Sequence, residues 1–218
     1  MSTGGDLISL GAITLGGTSV GDSSVGDISL GARPPRADAV RNREVLLEAA
    51  HRLVAQRGAD ALTMAQVADE GGVGKGTVYR RFGSREGLMA ALLDHSEARW
   101  QAAVISGPPP LGPGAPPLDR LLAFGASRLE RNLASADLIV AAGSDQRRPL
   151  GALRFVAAHV RQLLLALEIG GDTNLLTSAL LAPLEASVVS IQVSDQGVDP
   201  AQILAGWTDL VRRVVRTD

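Results

Sequence analysis

Apolar residues recur at steps of three and four positions from about Ala37 onwards, which is the spacing of one face of an α-helix. Gly58 follows the last of them and is expected to end this first helix, as glycine commonly does. The face that the pattern predicts to be buried consists of Val40, Leu46, Leu47, Ala50, Leu53 and Val54.

Two short helices and a longer one are predicted behind it. Thr63 and Gln66 have the spacing of a capping box, in which the Thr63 hydroxyl caps a helix and the Gln66 side chain reaches back. This helix is short and ends near residues 71–72. A second short helix begins near 74–75 and ends near Phe82, and Ser84 then caps a longer helix. The apolar residues of the longer helix are Leu88, Met89, Leu92, Leu93 and Trp100.

The stretch "SGPPPLGPGAPP" at 106–117 separates these helices from the rest of the chain. It cannot be helical, because proline lacks the amide donor and restricts the residue before it. Four or more apolar-striped helices follow, one of them over about 173–194 with a bend at Pro183 and the last after Pro200. No segment alternates with a period of two, so the predicted fold class is all-α.

Residues 1–33 differ from the body of the chain. The segment "DLISLGA" at 6–12 returns as "DISLGA" at 27–32, with glycine, serine and threonine between the two copies. A short β-like repeat is one interpretation, but strands so short and rich in glycine have little to pack against. The composition therefore favours a flexible, low-complexity tail.

Composition excludes several classes of function. The 218 residues include no cysteine, which rules out disulfides, thiol catalysis and cysteine-based zinc sites. The three histidines are scattered, so neither a metal nor a cofactor is expected, and no catalytic constellation suggests an enzyme. No apolar run approaches the roughly 20 residues of a membrane helix, and no secretion signal is visible, so we expect a cytoplasmic protein without a membrane partner.

The stretch "EGGVGKGTVYRRFGSREGL" at 70–88 has two competing interpretations. A phosphate-binding loop would need a serine or threonine directly after Gly74-Lys75 and a buried strand before it. Gly76 follows instead, the preceding segment reads as a capped helix, and Asp69 and Glu70 would repel a phosphate. A helix-turn-helix fits better, because two short helices meet at a tight turn.

The same stretch is locally basic. Between residues 71 and 85 there are four basic residues and no acid, within a chain whose net charge is −2. A solvated basic surface would have this composition, but so would a small face that binds nucleic acid. The glycines before Thr77 leave the start of the second helix free of side-chain bulk, so its backbone amides can approach a phosphate.

At this point the sequence resembles a known family. Residues 37–100 are similar to the DNA-binding domain of TetR-type transcriptional regulators. The similarity rests on the segment "RNREVLLEAAHRLVAQRGADALTMAQVADEGGVGKGTVYRRFGSREGLMAALL" at 41–93. The specific part is the Gly-Val-x-x-x-Thr-Val-Tyr-x-x-Phe signature at 72–82. The remaining two thirds of the chain resemble the family only in architecture, an all-helical effector-binding and dimerising domain.

The resemblance implies a role for each matching residue. Thr63 would lie at the DNA backbone, Thr77 and Tyr79 would hold phosphates through their hydroxyls, and Arg85 would contact a phosphate. Gly74 stands where the family often has serine, which weakens the helix cap. Lys75 adds a charge where many members have none, so the operator sequence does not carry over. The residues expected to face the major groove are Lys75, Gly76, Arg80 and Arg81.

With the resemblance, the chain divides into five predicted parts. They are a low-complexity tail at 1–33, a helix-turn-helix domain at 34–83, a connecting helix at 84–105, a Pro/Gly-rich linker at 106–117, and an effector-binding and dimerisation domain at 118–218. Dimerisation through the last two helices is expected at Leu176, Ala179, Leu180, Ala182, Ala186, Val188, Ile191, Trp207, Val211 and Val214.

Effector contacts are less specific. His159 lies beside an apolar stripe formed by Val156, Val160 and Leu163 and could line a pocket, although a structural histidine is the more ordinary role. Phe124 is a further candidate for an effector contact. Arg128 could pair with an acidic effector, although a surface salt bridge is more common. Trp100 and Trp207 are expected in the core.

The resulting hypothesis is a homodimeric repressor. It would bind a palindromic operator in double-stranded DNA and be released by an unidentified small-molecule effector. The alternative is a helical protein- or drug-binding scaffold with a vestigial DNA-binding domain. A salt-dependent shift of DNA by the protein would discriminate the two.

Overall fold

The computed structural model describes residues 35–142 and 150–216, and the described residues are helical with no strand among them. The predicted tail at 1–33 lies outside the described residues. The helices are α1 Pro35–Arg57, α2 Met64–Glu70, α3 Lys75–Phe82, α4 Arg85–Ser106, α5 Pro117–Ala141, α6 Leu150–Ala166, α7 Thr173–Leu181, α8 Ala186–Ser190 and α9 Pro200–Val215. The all-α prediction is therefore confirmed.

Local signals end and begin these helices where the sequence predicts. Gly58 adopts φ +80° and ends α1, a conformation that glycine reaches without steric cost. The Thr63 amide donates to Gln66 Oε1 at 2.9 Å and the Gln66 amide donates to Thr63 Oγ1 at 3.3 Å, so the predicted capping box is confirmed. Ser84 accepts from the Gly87 amide at the start of α4. Pro183 lies in a 3₁₀ turn between α7 and α8, where the bend was predicted.

Two clusters of buried side chains form the interior. The N-terminal core is formed by α1, α2, α3 and α4 and includes Leu138 near the end of α5. The C-terminal core joins the second half of α4 to α5, α6, α7, α8 and α9. Because α4 contributes Leu92 to the first core and Trp100 to the second, it connects the two as one continuous helix.

Helices α5 and α9 approach each other closely at Gly125. A β-carbon built at Gly125 would lie 2.0 Å from the Trp207 ring. That ring is fixed in place, since Trp207 Nε1 donates to the Leu180 carbonyl at 2.7 Å within the core. Burial of Trp100 and Trp207 confirms the expectation that both tryptophans belong to the core.

The predicted dimer surface is wrong in three of its members. Leu180, Trp207 and Val211 are buried in the chain's own C-terminal core, so they cannot also contact a second chain. The apolar pattern marks helical faces but does not say which of two apolar faces points inward. The large apolar residues left exposed on α7, on α8 and directly behind it are Leu175, Val188 and Ile191.

The segment Thr173–Asp195 is an exception to the expectation that no apolar run approaches the length of a membrane helix. Its 23 residues contain a window with mean hydropathy 1.4, which is long and apolar enough by length and composition to cross a membrane. One such segment is weak evidence for a membrane span. Only 22% of the window is buried within the chain, so much of its apolar surface is available to a partner.

Candidate nucleic-acid interface

Helix α3 has one buried and one exposed face. Val78 and Phe82 are buried one turn apart and attach the helix to the N-terminal core. On the exposed side lie Lys75, Gly76 and Arg80, with Tyr79 beside them at 53% exposure. The spacing of a helix places Gly76 and Arg80 on the same face, opposite the buried pair. The exposed surface of α3 is therefore basic and partly bare of side chains.

The turn before α3 depends on glycine. A β-carbon at Gly71 would lie 2.5 Å from the Leu46 side chain and 3.0 Å from the Val67 carbonyl oxygen, so the turn packs directly on α1. Gly72 adopts φ +64°, and the Val73 amide donates to the Ala68 carbonyl at 2.9 Å. These contacts hold α2 and α3 as a helix-turn-helix.

The phosphate-loop interpretation does not survive this geometry. The segment before the glycines is helix α2 rather than a strand. Glu70 pairs with Arg52 of α1 at 3.1 Å, which offsets its charge, so the helix before the glycines, and not repulsion by Glu70, argues against the phosphate loop. Gly74 caps α3 without a side-chain hydrogen bond, which agrees with the weak cap that the sequence implies.

Arg80 lies along the exposed face of its own helix. Its Nη2 donates to Thr77 Oγ1 at 3.0 Å, and its Nη1 would be 3.6 Å from a β-carbon at Gly76. The absence of a side chain at Gly76 leaves room for the guanidinium. Arg80 and Thr77 are thereby held together on the surface where the sequence predicts DNA contacts.

Arg81 is bonded within the chain, and its expected place in the major groove stays a prediction. Its Nη1 donates to the Ala39 carbonyl of α1, and its side chain is half-buried. The guanidinium therefore ties the end of α3 to the start of α1. Sequence spacing could not reveal this partner, because the two residues are 42 positions apart.

Arg85 is also engaged within the chain. Its Nε donates to the Leu62 carbonyl at 3.0 Å, and its Nη2 donates to the Ala59 carbonyl at 2.8 Å and the Asp60 carbonyl at 3.2 Å. These bonds fix the start of α4 to the loop between α1 and α2. A phosphate contact at Arg85 stays a prediction, but its guanidinium has a structural role that the sequence did not indicate.

Substitution of Arg85 by alanine should therefore destabilise the fold. Three carbonyls would lose a charged donor, and we expect unfolding free energy to fall by about 2 kcal/mol. Urea denaturation would measure it, with Arg154→Ala on the exposed surface of α6 as the control. An Arg85→Ala midpoint equal to that of the intact protein would contradict the structural role.

The expected effector residues lie at the junction of α4, α5 and α6. Phe124 is fully buried, and its ring centroid lies 5.2 Å from that of His159. Arg128 is only 1% exposed, so it does not form a surface salt bridge. Its Nη1 is 3.6 Å from Glu97 Oε2, and its guanidinium lies over the Trp100 ring at 5.1 Å. Arg128 is thus part of a buried ionic contact between α4 and α5.

The helix-turn-helix region is similar in sequence to known transcriptional regulators. Residues 46–92 match the family model described as bacterial regulatory proteins, tetR family. Over 53 residues, 24% of this chain, the sequence is 40% identical to an HTH-type transcriptional regulator of Staphylococcus aureus (strain bovine RF122 / ET3-1). The matched segment spans 29% of that relative's length, so the likeness concerns the helix-turn-helix domain.

Solved structures extend the likeness to the whole fold. A TetR-family transcriptional regulator from Rhodococcus sp. has a TM-score of 0.55 at 19% identity, covering 81% of this chain and 99% of that chain. A TetR transcription regulator from Haloarcula marismortui has a TM-score of 0.57 at 19% identity, covering 81% and 97%. A transcriptional regulator from Saccharomonospora viridis, solved in complex with choline, has a TM-score of 0.55 at 15% identity, covering 79% and 96%.

Proposed function

Since this chain belongs to the TetR family of bacterial regulatory proteins, we propose that it is a ligand-responsive repressor that binds a palindromic operator as a homodimer. The observation that carries the proposal is the exposed face of α3, where Lys75, Tyr79 and Arg80 surround the bare Gly76. A helix with a basic, uncluttered outer face on a rigid core is suited to the major groove of DNA.

Within this proposal the residues of α3 divide by chemistry. Arg80 and Lys75 lie near base edges, where arginine can bond guanine through two hydrogen bonds. Tyr79 and Thr77 contact phosphates, which position the protein but carry no sequence information directly. Thr63 lies at the DNA backbone, with its hydroxyl already engaged in the capping box. Arg81 and Arg85 support α3 and α4 from within the domain.

The support for a homodimer is apolar surface that one chain leaves exposed. Leu175 is 67% exposed, and the same helical face carries exposed Ala179 and Ala182 one and two turns further on. Val188 and Ile191 continue the exposed apolar surface beyond the bend, at 37% and 50% exposure. A second copy of the chain would bury this surface on both partners at once, as a two-fold interface does.

Substitution of Ile191 by glutamate should shift the protein from dimer to monomer. A charge in the centre of an apolar interface is costly to desolvate, whereas Ile191 is exposed in the single chain and its replacement leaves the core intact. Sedimentation velocity at micromolar concentration would measure the change. Leu165→Glu, on the exposed surface of α6, is the control and should stay dimeric.

Two other results are informative about the interface. A monomer for the unmodified protein would contradict the proposed dimer. Val211→Glu should unfold the chain instead of dissociating it, because Val211 is fully buried in the C-terminal core.

Helix α4 gives a route from effector to DNA. One end packs in the N-terminal core beside α3, and the other carries Trp100 into the C-terminal core. Suppose that an effector binds the C-terminal core more tightly when α4 is in one position than when it is in another. Its binding would then favour that position of α4 and change the separation of the two α3 helices in the dimer. Proteins of this fold have been solved with choline and with stearoyl-CoA bound.

Enrichment of genomic DNA fragments on the purified full-length protein tests the proposed function. We expect a fragment with an inverted repeat, bound about 1,000-fold or more tightly than unrelated DNA at the same salt concentration. Binding should weaken steeply as salt rises, since phosphate contacts release counterions. A protein that enriches no fragment and binds DNA at no salt concentration would instead be a helical scaffold with a vestigial DNA-binding domain.

A further inference from the structure

In the part of the chain that the structure describes, two buried nitrogen atoms near the aromatic side chains of the C-terminal core have no hydrogen-bond partner. They are Arg120 Nε on α5 and His159 Nε2 on α6. Buried polar atoms are nearly always satisfied, because leaving one without a partner costs about 1–3 kcal/mol. Arg120 Nε is a donor, and His159 Nε2 is a donor in one of the two neutral tautomers, so both nitrogens can bond to a group from outside the chain.

The two residues share one aromatic surface. Arg120 and Phe124 are one turn apart on α5, so they lie on the same side of that helix. The Phe124 ring centroid is 5.2 Å from that of His159, and the Phe155 ring is stacked on His159 at 6.3 Å. Trp100 of α4 borders both phenylalanines, at 5.4 and 6.2 Å. The surroundings of the two nitrogens are therefore largely aromatic.

Arg120 also supplies a charge that no acid balances in the described part of the chain. Its Nη2 reaches the Val104 carbonyl at 3.4 Å, which is a long hydrogen bond. The neighbouring Arg128 and Arg131, by contrast, both pair with Glu97, at 3.6 and 2.6 Å. The cation at Arg120 is thus chemically distinct from the ionic cluster about two to three turns away on the same helix.

The protonation of His159 fits this arrangement. Burial, and secondarily the positive charge of Arg120, lower the pKa of His159 to about 4. The imidazole is then neutral near pH 7 and carries one N–H, so it can donate a hydrogen bond to an acceptor without adding a second charge. One cation and one neutral donor match a single negative charge spread over two oxygens.

We propose that the effector is an organic carboxylate with an aromatic or apolar body, held by Arg120 and His159 at the junction of α4, α5 and α6. This inference rests on the proposed function, because it names the class of the effector. The carboxylate would accept from Arg120 Nε and His159 Nε2, and the body would lie against Phe124, Phe155 and Trp100. The arginine that would bind the carboxylate is therefore Arg120, and not Arg128 as the sequence suggests.

Calorimetric titration of the full-length protein with benzoate and with its neutral isostere benzamide tests the proposal. We expect benzoate to bind and benzamide to bind at least about tenfold more weakly, since hydrogen bonds to a charged group contribute about 1.5–3 kcal/mol. Equal binding of the two, or binding of neither, would overturn the proposal without requiring any variant.

Matched variants assign the contact to its residues. Arg120→Gln and His159→Gln should each weaken benzoate about tenfold or more, whereas Arg154→Gln on the exposed surface of α6 should not. Melting temperatures of the variants establish that each is folded. Unchanged benzoate affinity in folded Arg120→Gln would refute the site. These titrations contain no DNA, so they are independent of the DNA-binding test. Operator binding without benzoate binding would reject only this inference. Benzoate binding without operator binding would reject the proposed repressor.

Discussion

Substitution of Gly125 by alanine should destabilise the C-terminal core by an amount at the upper end of the about 1–3 kcal/mol that overpacking typically costs. The added methyl group would lie 2.0–2.5 Å from three atoms of the Trp207 ring. The ring cannot move aside easily, since it is buried and its Nε1 is bonded to the Leu180 carbonyl. The helices α5 and α9 would have to separate.

Chemical denaturation of Gly125→Ala measures this effect. Gly151→Ala is the matched control, because it is the same change within α6 and the added methyl group meets no atom within 4 Å. The control should be unchanged or slightly stabilised, as alanine is the better helix former. A Gly125→Ala variant as stable as the control would show that the close approach of α5 and α9 is absent in solution.

Substitution of Arg80 by alanine should cost about 1–3 kcal/mol in affinity for the enriched DNA fragment, because a bidentate contact to a base is lost. It should also relax the preference for one base position in each half-site. Little stability should be lost, since Arg80 is exposed and its hydrogen bond to Thr77 is on the surface. Fluorescence anisotropy with sets of single-base variants of the fragment would measure both effects.

Arg154→Ala controls for the loss of one positive charge far from α3. If Arg80→Ala lowered affinity for every DNA sequence by the same factor, Arg80 would be a phosphate contact and not a reader of bases. If affinity did not change at all, α3 would not be the recognition helix.

The parts of the fold that depend on neighbouring residues could be predicted from the sequence. The capping box at Thr63, the end of α1 at Gly58 and the break at Pro183 each arise from residues within a few positions of one another. The buried pair Val78 and Phe82 follows from helical spacing in the same way. These local features are sufficient to predict the helix-turn-helix and its outer surface.

The partners of long polar side chains could not be predicted, because they are far away in sequence. Arg81 bonds to Ala39, and Arg85 bonds to a loop more than 20 residues earlier, whereas the family resemblance implied a DNA contact for both. Arg128 similarly pairs with Glu97 of the preceding helix. A basic residue in a DNA-binding motif is ambiguous until its intramolecular acceptors are known.

Packing between helices that are far apart in sequence could not be predicted from the sequence either. Gly125 gives no local sign that Trp207 packs on it, and the charge of Arg120 acts on His159 only because the fold brings α5 and α6 together. The apolar stripes of α7 and α9 showed that both helices bury a face. Which residues are buried within one chain, such as Val211, depends on how the helices are arranged in space.

Site-specific cross-linking determines whether the exposed face of α3 contacts DNA. The chain contains no cysteine, so Tyr79→Cys creates a unique attachment point for a photoactivatable cross-linker. Leu153→Cys, exposed on α6, is the matched control. With the enriched fragment bound, we expect a cross-link to DNA from position 79 and none from position 153. Bound DNA that cross-links from neither position, or equally from both, would contradict it.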